Sequence, residues 1–234
     1  MTSESARVRS GRPRLVDRGD DQLDPHDQIL AAAAELFAER GYGATTTRAI
    51  AEKVGIRQAS LYYHFAGKDE ILLELLETSV RPSLAYLTDL LRHPDPAVAL
   101  AALAILDVDT LIATPHNIGT LYLSHEVLEP RFESFRQARE ALREAYSELC
   151  GRIGTHLDAD FLGACCLQLV ELVITLRRDG EPPASTAIDI AAACLSVVGV
   201  SPPGPALDQG IRVAGELRAR LTAQQPGESS ATDA

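Results

Sequence analysis

The chain has 234 residues, of which 33 are acidic and 22 basic, giving a formal net charge of −11. Hydrophobic residues make up 46% but aromatics only 5%, with no tryptophan, so the core must be built from Leu, Ala, Ile and Val in periodic runs that favour helix. No alternating strand pattern, no uninterrupted apolar run of about 18 residues and no signal-like start is present, which predicts an all-α, cytoplasmic protein without a membrane span. The four cysteines, Cys150, Cys165, Cys166 and Cys194, form no C-x-x-C pair; this argues against a zinc knuckle or redox motif. Small buried thiols are the preferred reading, with a redox role for Cys165 and Cys166 as the alternative. The acidic balance does not exclude nucleic acid as a partner, because phosphate attraction depends on where the positive charges lie.

Residues 1–23 lack periodic apolar positions and are predicted to be a flexible basic arm. Arg7, Arg9, Arg12 and Arg14 cluster around Gly11-Arg12-Pro13, a segment that resembles the core of an AT-hook. Arg12 and Arg14 are therefore candidates for the minor groove or the DNA backbone, a solvated tail being the alternative. Residues 24–70 form the first predicted domain. Asp24 caps a helix with Pro25 at its first position, Ile29, Ala33, Leu36 and Phe37 form its apolar stripe, and Gly41 closes it. Thr46 or Thr47 caps a second, short helix in which Ile50 and Val54 share one face and which Gly55 stops. A third helix from about Gln58 to His64 buries Leu61 and Phe65 and turns Arg57, Gln58, Ser60, Tyr62 and Tyr63 outward. Together these make a helix-turn-helix with the third helix as reader.

After Ala66-Gly67 a long helix begins, carrying Lys68 at its N-terminus, where its charge suits a phosphate. Ile71, Leu72, Leu75, Leu76 and Val80 form the inward face, and the far end near Pro82 leads into a second domain, residues 71–222, so that this helix serves as a lever. That domain reads as a helical bundle: Ala97 to Thr114 before Pro115, a short helix around Ile118 to Glu126, and a longer amphipathic helix from Glu129-Pro130 to about Gly151. The last of these has Phe132, Phe135, Leu142, Tyr146 and Leu149 inside and a solvated face that includes Arg136, Arg139 and Arg143. Helices at about 160–178 and 184–200 follow, then Pro202-Pro203-Gly204-Pro205, a last helix from about Leu207 to Leu221, and a loose tail, 223–234. Leu167, Leu169, Val170, Val173, Ile174, Ile188, Ala192 and Leu195 present more apolar surface than one chain readily covers, intrachain core being the alternative.

Residues from about Asp27 to Leu72 resemble the N-terminal domain of TetR/AcrR-family transcriptional regulators. The resemblance rests on Leu36-Phe37-Ala38-Glu39-Arg40-Gly41-Tyr42, Thr45 to Ala51, Gly55, Leu61-Tyr62-Tyr63-His64-Phe65 and Gly67-Lys68-Asp69. It implies a homodimer, paired through its late helices, that binds a double-stranded operator and is most often a repressor released by a small molecule. An effector-independent or activating regulator of the same fold is the alternative. Carried over residue by residue, Thr47 takes a phosphate, and Tyr62, Tyr63, His64 and Lys68 grip the backbone; for Tyr62 and His64 interhelix packing is the competing role. Base reading falls to Arg57, Gln58 and Ser60, with Arg48 able to reach either bases or backbone, while Ala59 offers no hydrogen bond.

An effector pocket is expected inside the second domain, with Asp107, His116, Tyr122 and His125, and beside them Asp109, as candidate lining and a mainly apolar effector as its occupant. His116 and His125 with Glu126 lack the spacing of a helical zinc site, and no nucleophile elbow, phosphate loop or paired carboxylate is present. The reading is therefore a non-enzymatic regulator with no cofactor, no metal and no catalytic residues.

Overall fold

The computed structural model describes residues 24–122, 124–154 and 157–224. The basic arm with Arg12 and Arg14, and the tail beyond Gln224, lie outside the described residues. The chain divides into two compact units, one ending at Lys68 and the other beginning at Asp69.

In the first unit, α1 (Pro25–Arg40), α2 (Thr47–Val54) and α3 (Gln58–His64) follow one another. Asp24 accepts a hydrogen bond from the His26 N–H and Pro25 opens α1, as a helix start with one missing donor permits. Of the two threonines, Thr46 is the cap: its hydroxyl accepts from the Ala49 N–H at 3.1 Å. Gly55 ends α2 at φ 82°, in the left-handed region that glycine enters without cost. Ile29, Ala33, Leu36, Phe37, Ile50, Leu61 and Phe65 are all buried. Three short helices thus share one core, and α3 is held in it through Leu61 and Phe65.

Helix α4 (Lys68–Leu91) does not end near Pro82 as expected but carries Pro82 inside it. An internal proline removes one hydrogen bond and crowds the preceding turn, at about 3 kcal/mol. Buried Val80, Ser83, Tyr86 and Leu90 on either side of Pro82 offset that cost. Arg152 donates to the carbonyls of Leu91 and His93, both at 2.6 Å, and so satisfies the C-terminal end of the helix.

Helix α5 (Pro96–Ala113) is the axis of the second unit. Asp95 caps it through the N–H groups of Ala97 and Val98. Every residue from Val98 to Val108 is buried, the signature of a helix surrounded on all sides. Around it pack α6 (Glu133–Ile153), α7 (Ala159–Asp179), α8 (Thr186–Val197) and α9 (Gly204–Gln224). Helices α5 and α7 have the length and mean hydropathy to cross a bilayer, more than the sequence reading allowed; two thirds of α5 is buried inside the protein instead.

The helix expected over 118–126 is absent. Pro115–Leu121, His125–Leu128 and Pro130–Phe132 form successive 3-10 turns. His116 and Asn117 adopt positive φ, which interrupts any helix. Side chains from the bundle then pin the irregular backbone: Asn117 donates to the Ile174 carbonyl at 2.8 Å, and Arg136 donates to the carbonyls of Val127 and Glu129 at 2.7 and 2.8 Å. Arg136 is therefore a strut and not part of a solvated face. The apolar residues expected on a partner-facing surface need a similar correction. Leu167, Val170, Val173 and Leu195 are buried within the chain; Ile188 is exposed as expected, and Phe161, Leu172 and Val197 are exposed besides.

Candidate nucleic-acid interface and effector cavity

Helix α3 places Arg57 at its N-cap and exposes Arg57, Gln58, Ala59, Ser60, Tyr62 and Tyr63. Tyr63 is 88% exposed, too open for any packing role in the free chain. Its neighbour His64 is half-buried, with its ring 5.3 Å from that of Tyr63. The first residue of α2, Thr47, meets α3 here: its hydroxyl accepts from the Gln58 side-chain amide at 3.0 Å and lies 3.2 Å from the Tyr62 hydroxyl. Thr47, Gln58 and Tyr62 are therefore one polar cluster, which spacing alone did not reveal. Arg48 is exposed and ion-paired with Glu52 at 2.9 Å, a weak surface pair that a phosphate can displace.

Lys68 is placed differently from its expected role. Its ammonium donates to the carbonyls of Tyr42 and Thr45 at 3.0 and 3.1 Å and lies 4.2 Å from the Tyr42 ring centroid. This makes it a clamp on the turn between α1 and α2. Replacing Lys68 by Met should lower the thermal stability of the first unit by about 1–3 kcal/mol, because two buried residues lose a charged donor. Melting curves of the variant followed by near-ultraviolet circular dichroism check this; an unshifted unfolding would remove the clamp.

The second unit brings two of the four predicted pocket residues together. Asp107 and Tyr122 line a small buried cavity of about 10 Å³ with Val80, Leu111, Arg139 and Glu171, the room of a single water. Asp107 accepts from the Ser83 hydroxyl at 2.8 Å and from the Tyr146 hydroxyl at 3.3 Å. Burial pushes its carboxyl up to about 6, against the pull of those two hydrogen bonds and of Arg139. Ser79 donates to the Leu76 carbonyl at 2.6 Å and has the Tyr122 hydroxyl at 2.6 Å, so the phenol is the donor in that pair. Arg139 lies over the Tyr122 ring, with its guanidinium carbon 5.1 Å from the centroid, and pairs with the mostly buried Glu171.

His116 and His125 are both exposed and take no part, and Asp109 pairs with Arg218 instead. Among the described residues no cluster suited to a metal occurs. Ser83 and Glu171 were not singled out from the sequence, whereas Tyr146 was expected only as core and Arg139 on a solvated face, which its pairing with mostly buried Glu171 corrects. A signal for one of them existed, since Glu171 is a lone carboxylate within the apolar run of α7, a placement that costs free energy unless it is paired. An open cleft of about 450 Å³ shares Tyr122 and Glu171 with the inner cavity and reaches Gly119, Gln168 and Leu172. Four of the eight residues lining the inner cavity, Asp107, Tyr122, Arg139 and Glu171, carry polar groups, whereas a mainly apolar effector was expected.

Residues 29–75 match the family model for bacterial regulatory proteins of the tetR family. The crystal structure of Mycobacterium smegmatis AmtR is similar over 88% of this chain and 98% of that one, with 38% identity and a TM-score of 0.75. The chain belongs to the TetR family. The transcriptional repressor KstR2 of Rhodococcus jostii is 31% identical over 57% of this TetR-family chain and 67% of its own length. KstR2 of Mycobacterium tuberculosis is 55% identical, but over only 26% of the chain; the match spans 31% of that relative.

Proposed function

We propose that this TetR-family chain is a transcriptional repressor that binds operator DNA as a homodimer in the cytoplasm and releases it when a small molecule enters the open cleft of about 450 Å³ beside Tyr122 and Glu171. The observation that carries this reading is helix α3. Its Leu61 and Phe65 are fixed in the core while Arg57, Gln58, Ser60, Tyr62 and Tyr63 face solvent, the division of labour of a helix that reads a major groove. Tyr62, Tyr63 and Thr47 would grip the backbone, and Arg57 and Gln58 would read bases. The two carboxylates and single guanidinium of the inner cavity, with Glu171 shared by the cleft, suit an effector with its own hydrogen-bonding groups, which would compete with Arg139 for Glu171. Helix α4, running from Lys68 into the body without a loop, would carry that change to the reader.

Footprinting on genomic fragments should show two protected half-sites about one helical turn, or a multiple of it, apart. Affinity should fall by roughly 10³-fold or more between 50 and 200 mM salt if six or more phosphates are held. Binding that ignores salt and protects no defined site would refute the reading. For the dimer, Phe161 is 61% exposed and Leu172 45%, both on α7, where a second copy would cover them. Sedimentation should give twice 25.1 kDa, and Leu172→Arg should shift the population toward the single chain; a wild-type monomer at micromolar concentration would rule the dimer out.

A further inference from the structure

The Gln58 amide nitrogen lies 3.0 Å from the Thr47 hydroxyl and 3.5 Å from the Tyr62 hydroxyl, and these two hydroxyls lie 3.2 Å from each other. The three side chains come from the start of α2, the start of α3 and one turn further along α3. A side-chain amide has two N–H donors and one carbonyl acceptor, and each hydroxyl has one donor and two lone pairs. In the free chain the hydroxyls can serve as donors or acceptors toward the amide. On DNA, in the function proposed above, both hydroxyls give their hydrogens to phosphate oxygens, which only accept. What they then offer to Gln58 is lone pairs alone, so the amide must turn its N–H groups toward them. The carbonyl Oε1 becomes the one group of the side chain left for a base.

We propose that Thr47 and Tyr62 are positioning residues for base reading, and that they make Gln58 an acceptor-only reader that takes adenine or cytosine and rejects guanine and thymine. The chemistry follows from the groove. Adenine N6 and cytosine N4 present amino donors there, whereas guanine O6 and thymine O4 present acceptors. An unrestrained glutamine prefers adenine alone, through paired contacts to N6 and N7. With both N–H groups engaged by Thr47 and Tyr62, the N7 contact is lost and adenine no longer outranks cytosine. The same two hydroxyls thus couple the hold on the backbone to the code read by the neighbouring side chain.

The test is competition binding against operators randomised at each position, using the full chain. Gln58→Ala identifies the position that Gln58 reads, as the one whose preference disappears. There the wild-type protein should favour A and C over G and T by about 5- to 150-fold, the cost of a desolvated carbonyl left facing another acceptor, with A and C within about threefold of each other. Thr47→Val combined with Tyr62→Phe frees the amide, and although overall affinity falls, the preference at that position should narrow to A. Wild-type preference for A alone overturns the proposal. So does a double variant that weakens every operator equally and leaves the A-to-C ratio unchanged, or a Gln58→Ala variant with no altered position. Both hydroxyls are at the surface, so an unchanged melting temperature verifies that the variants fold. A wild-type protein that protects no operator at all defeats the DNA-binding reading itself, a result distinct from any of these.

Discussion

Replacing Gly163 by alanine should destabilise the body by about 1–3 kcal/mol or more, the cost of overpacking a tight helix contact, and lower the melting temperature by several degrees. A methyl group built on Gly163 would collide with the Ser147 hydroxyl oxygen and stand 2.6 Å from the Ser147 backbone nitrogen and 2.8 Å from its Cα. Two of those three atoms are backbone of α6, so relief requires the whole helix to move away from α7. That displacement would reach Arg139 and Glu171, which join the same two helices. Ser147→Ala is the control. The Ser147 hydroxyl is buried with no hydrogen-bond partner among the described residues, so its loss should cost little. It should also fail to rescue Gly163→Ala, because the backbone clash remains. A Gly163→Ala protein that melts with wild type would show that α6 and α7 are not held this closely.

The second large effect concerns Asp107 and pH. Burial holds its carboxyl at about 6, above the 3.8 of an exposed group, so between those values the folded chain keeps a proton that the unfolded chain releases. The stability linked to this group is therefore full below about pH 3.8 and is lost as pH rises through about 6. Asp107→Asn stays neutral throughout and still offers Ser83 a carbonyl. Relative to wild type it should gain about 1–3 kcal/mol between pH 4 and pH 7.5, seen as diverging melting temperatures. Parallel curves for the two proteins across that range would mean that the carboxyl is not perturbed.

What was legible in the sequence is local. Asp24, Pro25 and Gly41 bound α1, Gly55 stops α2, and the apolar spacing of Leu61 and Phe65 sets α3, because caps, stops and helical periodicity act within a few residues. Arg57, Gln58, Ser60, Tyr62 and Tyr63 face outward for the same reason: buried Leu61 within the seven-residue helix and buried Phe65 at its C-cap decide which positions are left exposed. Where local signals conflicted with the packing around them, packing prevailed. Pro82 reads as a helix end and is not one, since buried neighbours on both sides hold α4 together. Ile118 to Glu126 reads as a short helix and is not one, since Asn117 and the distant Arg136 tie that stretch down in 3-10 turns.

By itself, then, the sequence determined the helical class, the three-helix head, the family resemblance and the outward face of the reader. Only the tertiary structure decided which polar residues act together. Thr47 meets Gln58 across eleven positions, Lys68 clamps Tyr42 across twenty-six, and Arg139 reaches Glu171 across thirty-two. Periodicity gives the direction in which each side chain leaves its own helix, but no partner on another helix. It is the packing of helices on one another that brought Asp107 to a buried cavity and left His116 and His125 in solvent.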